Sequence, residues 1–269
     1  MRYLLTFGNK GYKTPMKLLA KSALAVGSVD KVIFWDDEKV RATPFYEDNK
    51  KILDQKRGCG YWLWKPFSIL TEVRKLKKGD FLIYSDSKML ALQNFDKLYE
   101  LCEQDGGVLL FSNIPQTIGC WCKRDALILT GMDRPEVLKS FDFAAMMSVW
   151  QNTPKAIAFL EEWLKFCCDE RILTDMPNTL GQPNDPLFID HRHDQAVFSL
   201  VALKQGIKPH RIPNQYGKRY KKCEAFQDDT YGELFQAHFA LQAIARNLKV
   251  FPQLAKVLWR DLFSGKGNL

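Results

Sequence analysis

Three features of the chain predict an α/β fold built on a mainly parallel sheet flanked by helices. Short apolar runs of strand length, such as residues 3–7 and 32–35, alternate with segments whose apolar residues recur at helical spacing. Of the 269 residues 46% are hydrophobic and 13% aromatic, enough to bury a sizeable core and to exclude a disordered chain. Third, a glycine- and aromatic-rich turn, Arg57-Gly-Cys-Gly-Tyr-Trp-Leu-Trp-Lys-Pro66, precedes an apolar strand, Phe81-Leu-Ile-Tyr-Ser-Asp86, that ends on a single acid. This is how α/β proteins bring backbone, rings and a carboxylate to the carboxyl end of a sheet.

Residues 3–7 are expected to form a buried strand, with a loop from Gly8 to Lys13 behind it. Thr14 and Pro15 read as a helix cap and first helical residue, followed by Met16, Leu19, Ala20 and Ala23 on one face. Residues 32–35 are the second strand, and strand–helix–strand implies parallel pairing. Pro66 is expected to open a helix through Leu70, Val73 and Leu76 that stops at Lys78-Gly79. Then come a strand at 81–84, a helix at 92–104 and a strand at 108–111. Thr153 and Pro154 repeat the cap-and-proline start ahead of an amphipathic helix at 155–166. Asp194 reads as the cap of a helix that runs to Lys204 and ends near Gly206. The proline-rich stretch 175–186 is a long loop, and such loops in compact domains are usually functional or mobile. The α/β pattern resumes after it, so one domain is expected over 1–238, with a helical extension over 239–269.

The formal charge of +8 and pI near 9.0 suggest acidic partners such as phosphates or anionic lipid. The lysines are dispersed and no RRM, KH or helix-turn-helix signature appears, so nucleic acid is not an expected partner. No run approaches the ~18 apolar residues of a membrane span, and the short apolar start at Met1 reads as a first strand rather than a secretory signal. Seven cysteines without a CxxC pair, Cys120 and Cys122 being spaced too tightly for a usual zinc site, suggest buried thiols in a reducing cytoplasm.

Three constellations can carry chemistry. Asp86, in Tyr84-Ser-Asp-Ser-Lys88, stands where open parallel sheets bind ligands, although capping the next turn would also account for it. In the turn, Gly58 and Gly60 permit close backbone approach, and Tyr61, Trp62 and Trp64 offer stacking faces or, alternatively, core. Arg57 and Lys65 bring phosphate-compatible charge, and a helix opening at Pro66 would turn its first amides towards an anion. In Asp190-His-Arg-His-Asp194-Gln195 the alternating histidines invite zinc, but His191 and His193 need a third ligand from His210, His238 or scattered carboxylates.

Taken together, GYWxWKP, Y-x-D and H-x-H-D-Q resemble bacterial and viral glycosyltransferases of the GT-A class, the polysaccharide and lipopolysaccharide type, over roughly Leu4 to Ile212. The resemblance implies a GT-A-like, Rossmann-type mixed sheet and transfer of a sugar from a UDP- or GDP-linked donor to a glycan or glycolipid acceptor. It puts the donor at Thr6, Phe7, Gly8 and Tyr12, at Arg57, Gly60, Tyr61, Trp62, Trp64 and Lys65, and at Tyr84, Ser85, Asp86, Ser87 and Lys88. Asp86 would hold Mn²⁺ or Mg²⁺ on the diphosphate, in a departure from the family's Asp-x-Asp because Lys88 stands where the second acid belongs. Asp194 and Gln195 would lie beside the anomeric carbon, a pairing that leans towards retention, and Trp121, Lys123, Arg124 and His193 would meet the acceptor. A nucleotide-sugar or glycan binding module without turnover is the alternative that the incomplete Asp-x-Asp keeps open.

The last segment mixes Arg246, Lys249, Lys256 and Arg260 with Trp259, Leu262 and Phe263, and Pro252 should break it into two helices. Such a segment suits either packing on the domain or the anionic inner face of a membrane, giving a cytoplasmic, peripheral enzyme.

Overall fold

The computed structural model describes residues 1–217 and 231–237. Strand β1 (Arg2–Phe7) leads through a 3₁₀ turn (Lys10–Tyr12) to α1 (Lys13–Val26) and β2 (Lys31–Trp35). Next come α2 (Asp37–Arg41), α3 (Pro44–Leu53), the irregular turn α4 (Gly58–Tyr61) and α5 (Trp64–Val73). The chain continues through β3 (Phe81–Ser85), β4 (Met89–Ala91), α6 (Asp96–Gln104), β5 (Val108–Thr117), α7 (Ile118–Trp121), α8 (Arg124–Thr130) and α9 (Pro135–Lys139). It then forms β6 (Phe141–Trp150), α10 (Pro154–Cys167), α11 (Glu170–Leu173), α12 (His193–Lys204), β7 (His210–Arg211) and β8 (Phe235–Ala237).

Among the described residues six strands form one sheet in the order β2-β1-β3-β6-β5-β7, in which only β6 runs against the others, and β4 pairs with β8 in a separate small antiparallel ladder. The molecule is thus a mixed α/β protein with a mainly parallel sheet flanked by helices, as expected. Alternation along the strands explains their continuous apolar runs. Leu5, Leu82, Tyr84, Val108 and Leu110 enter one core with α5, α10 and α12, whereas Leu4, Ile83, Leu109 and Phe111 enter the other with α1 and α6. A sheet covered on both faces needs apolar residues at every position.

The helix at Pro154 begins as its sequence predicts, with Thr153 Oγ1 accepting from Ala156 N at 3.2 Å. Four other boundaries differ. Helix α1 starts at Lys13, behind a turn capped by Asn9, so Thr14 is inside it. Helix α5 starts at Trp64 rather than Pro66, which leaves Leu76 beyond its end. The expected helix at 92–104 begins only at Asp96. Helix α12 starts at His193, and Asp194 does not cap it because its carboxylate faces Lys65. Strand β6 carries Ala144, Ala145, Met146 and Met147, a helix-favouring composition that tertiary pairing overrides.

Among the described residues no helix is long and apolar enough to cross a membrane. The 239–269 extension, its Arg246, Lys249, Lys256, Arg260, Trp259, Leu262 and Phe263, and also Cys223 and His238, lie outside the described residues.

Candidate functional site

The glycine-rich turn adopts a conformation its sequence only hints at. Gly58, Cys59, Gly60, Tyr61 and Trp62 all have positive φ, between 52° and 88°. Gly60 is required there, since a Cβ would lie 2.5 Å from the Leu53 Cα. Cys59, Tyr61 and Trp62 sit in the left-handed region at a cost of about 1–2 kcal/mol each. Specific bonds offset that strain. The Trp64 indole donates to Gly58 O at 2.9 Å, the Tyr61 hydroxyl donates to Asp175 Oδ2 at 2.9 Å, and Trp64 stacks on Phe7 at 3.6 Å between centroids. The amides of Leu63 and Lys65 are already bonded to Gly60 and Trp62 carbonyls, and Pro66 has none. The expected anion site at the helix start is therefore not open at these positions, and the available charge is the Lys65 ammonium.

Lys65 lies only 4% exposed at the carboxyl edge of the sheet. Its Nζ is 2.9 Å from Asp194 Oδ2, at the start of α12, and 3.6 Å from Asp86 Oδ1, just past β3. The Tyr84 hydroxyl donates to the same Asp86 oxygen at 2.6 Å, and the Asp86 amide donates to Met146 O at 2.9 Å, which ties this turn to β6. Burial pulls the lysine pKa down, but the Asp194 and Asp86 carboxylates outweigh it and hold the ammonium above its ordinary value. Burial pushes Asp194 up to about 6 against the pull of Lys65, so the two form an ion pair at neutral pH. Burial, then the Asp86 charge, raises Tyr84 well above its usual range, keeping it a neutral donor. The Trp163 indole fixes the Asp194 backbone by donating to its carbonyl at 3.0 Å. Gln195, one residue on, donates from Nε2 to Asp142 Oδ2 at 2.9 Å.

At the rim, Lys88 Nζ lies 4.9 Å from the Tyr12 ring, joining the loops that follow β1 and β3. Thr6 is fully buried with an unpartnered hydroxyl among the described residues, while Ser85 and Ser87 are buried beside Asp86. Beyond β1 and β2 a cavity of about 170 Å³ opens between Phe7, Trp64, Cys59, Arg41, Tyr46 and Asp54. The Arg41 guanidinium contacts the Tyr46 hydroxyl and pairs with Asp54 at 2.8 Å, while Tyr46 donates to Asp54 at 2.9 Å. The sequence analysis assigns no role to these three, which come together only through the packing of α2 and α3. Thr43-Pro44, another cap-and-proline start, was the available signal for a helix there.

The remaining residues brace the long loop. Lys123 Nζ donates to the carbonyls of Thr174 and Met176, and Asp125 accepts from Thr179 N, Thr179 Oγ1 and Leu180 N. Arg124 pairs with Asp133 at 3.0 Å, and its amide donates to Asn184. Trp121 lies under the Arg192 guanidinium at 4.1 Å. His191 and His193 each place a ring nitrogen 2.8 Å from a backbone carbonyl, of Ile172 and Leu173, and His193 also stacks against Trp62. Among the described residues no cluster of three or more potential metal ligands forms, so His191 and His193 meet no third zinc ligand among them. Arg57 binds Asp175 at 2.9 Å and Asp190 at 3.1 Å, which straps the glycine turn to this loop.

No known family profile matches the chain, and no curated protein matches it. Among solved structures it is similar to mouse xyloside xylosyltransferase 1 in its apo form, with a TM-score of 0.46 and 14% identity over 90% of this chain and 99% of that one. It is also similar to the apo WbbM bifunctional glycosyltransferase, with a TM-score of 0.44 and 10% identity over 74% of this chain and 36% of that one.

Proposed function

We propose that this protein is a glycosyltransferase that moves a sugar from a nucleoside-diphosphate donor to a glycan or glycolipid acceptor with retention at the anomeric carbon. The observation that carries this reading is the buried Lys65 held between Asp86 and Asp194 at the carboxyl edge of the sheet. Burying one cation between two acids is costly and weak as a device for stability. It is well suited to a reaction in which negative charge develops on a leaving diphosphate, because the countercharge needs no reorganisation.

In this reading the cavity lined by Phe7 and Trp64 receives the nucleoside, and Gly8 and Tyr12 follow Phe7 in the loop after β1. The diphosphate lies over Lys65 towards Lys88 at the rim. Asp194 and Gln195 face the anomeric carbon from the start of α12, and the acceptor arrives past Trp121, Arg192 and the braced loop. Asp86 suits a divalent metal as a single-carboxylate anchor, because Tyr84 and Lys65 both approach Oδ1 and the side chain is 43% exposed. Bound Mn²⁺ or Mg²⁺ would take its other ligands from the diphosphate and water and neutralise charge there.

Thermal-shift screening of UDP- and GDP-sugars with and without Mn²⁺, followed by a transfer and hydrolysis assay, tests the proposal. Stabilisation by one donor together with sugar transfer supports it. Binding without turnover would turn the reading to a nucleotide-sugar binding module, for which the absence of a second carboxylate at Lys88 speaks. No binding to any nucleotide sugar would overturn both.

A further inference from the structure

Asp142 is a carboxylate that nothing in the site so far requires. It lies near the start of β6, 1% exposed, with Oδ1 unpartnered among the described residues. Oδ2 accepts from Gln195 Nε2 at 2.9 Å, and Asn113 of β5 also hydrogen-bonds to the carboxyl group. Strand and helix are pinned beside it, since Phe143 N donates to Ser199 Oγ at 2.8 Å, so the distance to Gln195 has little room to relax. An amide held by its nitrogen end on Asp142 turns its carbonyl end away from that residue.

We propose that Asp142 is a positioning residue for the transfer step, setting through this hydrogen bond the orientation of the Gln195 amide next to Asp194. The inference rests on the transferase reading for its consequence, whereas the contact itself stands on the geometry. Burial pushes the Asp142 pKa up to about 7, opposed by the bonds from Gln195 and Asn113 and by the Arg192 charge. Among the described residues the Cys122 thiol also senses this carboxylate, and burial keeps it protonated. Ionised Asp142 holds the amide by a charge-assisted bond, and the protonated acid holds it more weakly. Turnover therefore rises with pH through about 7.

Side-chain NMR on the full chain tests the contact without any substrate. The Gln195 amide and Asp142 carboxyl signals should titrate together with a midpoint near 7 in the wild type, and the Gln195 signals should not titrate in D142N. A Gln195 amide that is indifferent to pH between about 5 and 9 overturns the proposal. In kinetics, D142A should lower kcat by about 10²-fold with donor KM little changed. D142N keeps a hydrogen-bonding side chain and should lose the pH limb near 7. A D142A enzyme with wild-type kcat and pH profile overturns the role. A wild-type chain without turnover on any donor counts against the transferase reading, and the NMR titration then decides Asp142 alone.

Discussion

Two buried lysines, Lys65 and Lys123, show how one residue type takes opposite roles in two regions of this molecule. Both are under 5% exposed. Lys65 faces two carboxylates, and they hold its pKa above the ordinary value despite burial. Lys123 faces the carbonyls of Thr174 and Met176, and burial pulls its pKa down because Asp125 and Asp175 do not compensate. The first is a fixed charge between two acids and the second a clamp on a loop. Burial alone does not identify a functional lysine; the atoms facing its nitrogen do.

Lys65→Met should give the largest effect, because it leaves Asp86 and Asp194 facing each other without a cation. Loss of that countercharge is expected to lower turnover by about 10²–10³-fold and to destabilise the fold by about 3–5 kcal/mol, read by transfer assay and chemical denaturation. Near-wild-type turnover in a folded variant would dissolve the contrast. Asp86→Ala should reduce turnover by about 10²-fold with little change in melting temperature, since this side chain is half-exposed and its backbone stays bonded to β6.

Asp194→Asn sharpens the same half through pH. Burial raises the Asp194 pKa to about 6, above its unfolded value, so folding takes up a proton between about 4 and 6. Wild-type stability should fall as pH rises across that window, and the Asn variant should lack this slope. Turnover of the wild type should rise through about 6 as the partner of Lys65 ionises, and the variant should be slower at every pH. Lys123→Met, on the other side of the comparison, should cost about 1–3 kcal/mol through its unpaired carbonyls. Its expected signature is faster proteolysis of the 174–190 loop and a raised acceptor KM, with kcat changed least of the four.

Much of the sheet was legible because β1, β2 and β3 each carry an apolar run, at residues 3–5, 32–35 and 81–84, and β1 and β2 are separated by helical periodicity. Asp86 was legible because it ends such a strand. Strand β6 was not, as its Ala and Met residues favour a helix until they are paired between β3 and β5. The partnership of Lys65 with Asp194 was equally hidden. Both residues drew attention singly, Asp194 as a helix cap, yet their ion pair spans two distant segments and follows only from the packing of α5 and α12 around α10. Asp142 and the Arg41–Tyr46–Asp54 group carry no local signal at all, since their roles arise from which atoms the fold puts opposite them.

The left-handed run from Gly58 to Trp62 depends on partners far away in the sequence. Such a turn cannot nucleate by itself, because three of its residues are uphill until their side chains find partners. The anchor for Tyr61 is Asp175, 114 residues further along. Contacts of that separation close late, after neighbouring strands have paired. The turn that aims Lys65 is therefore expected to lock after the sheet edge has formed and to open before it, which hydrogen exchange would read as weaker protection of the 58–62 amides than of those in β1 and β3.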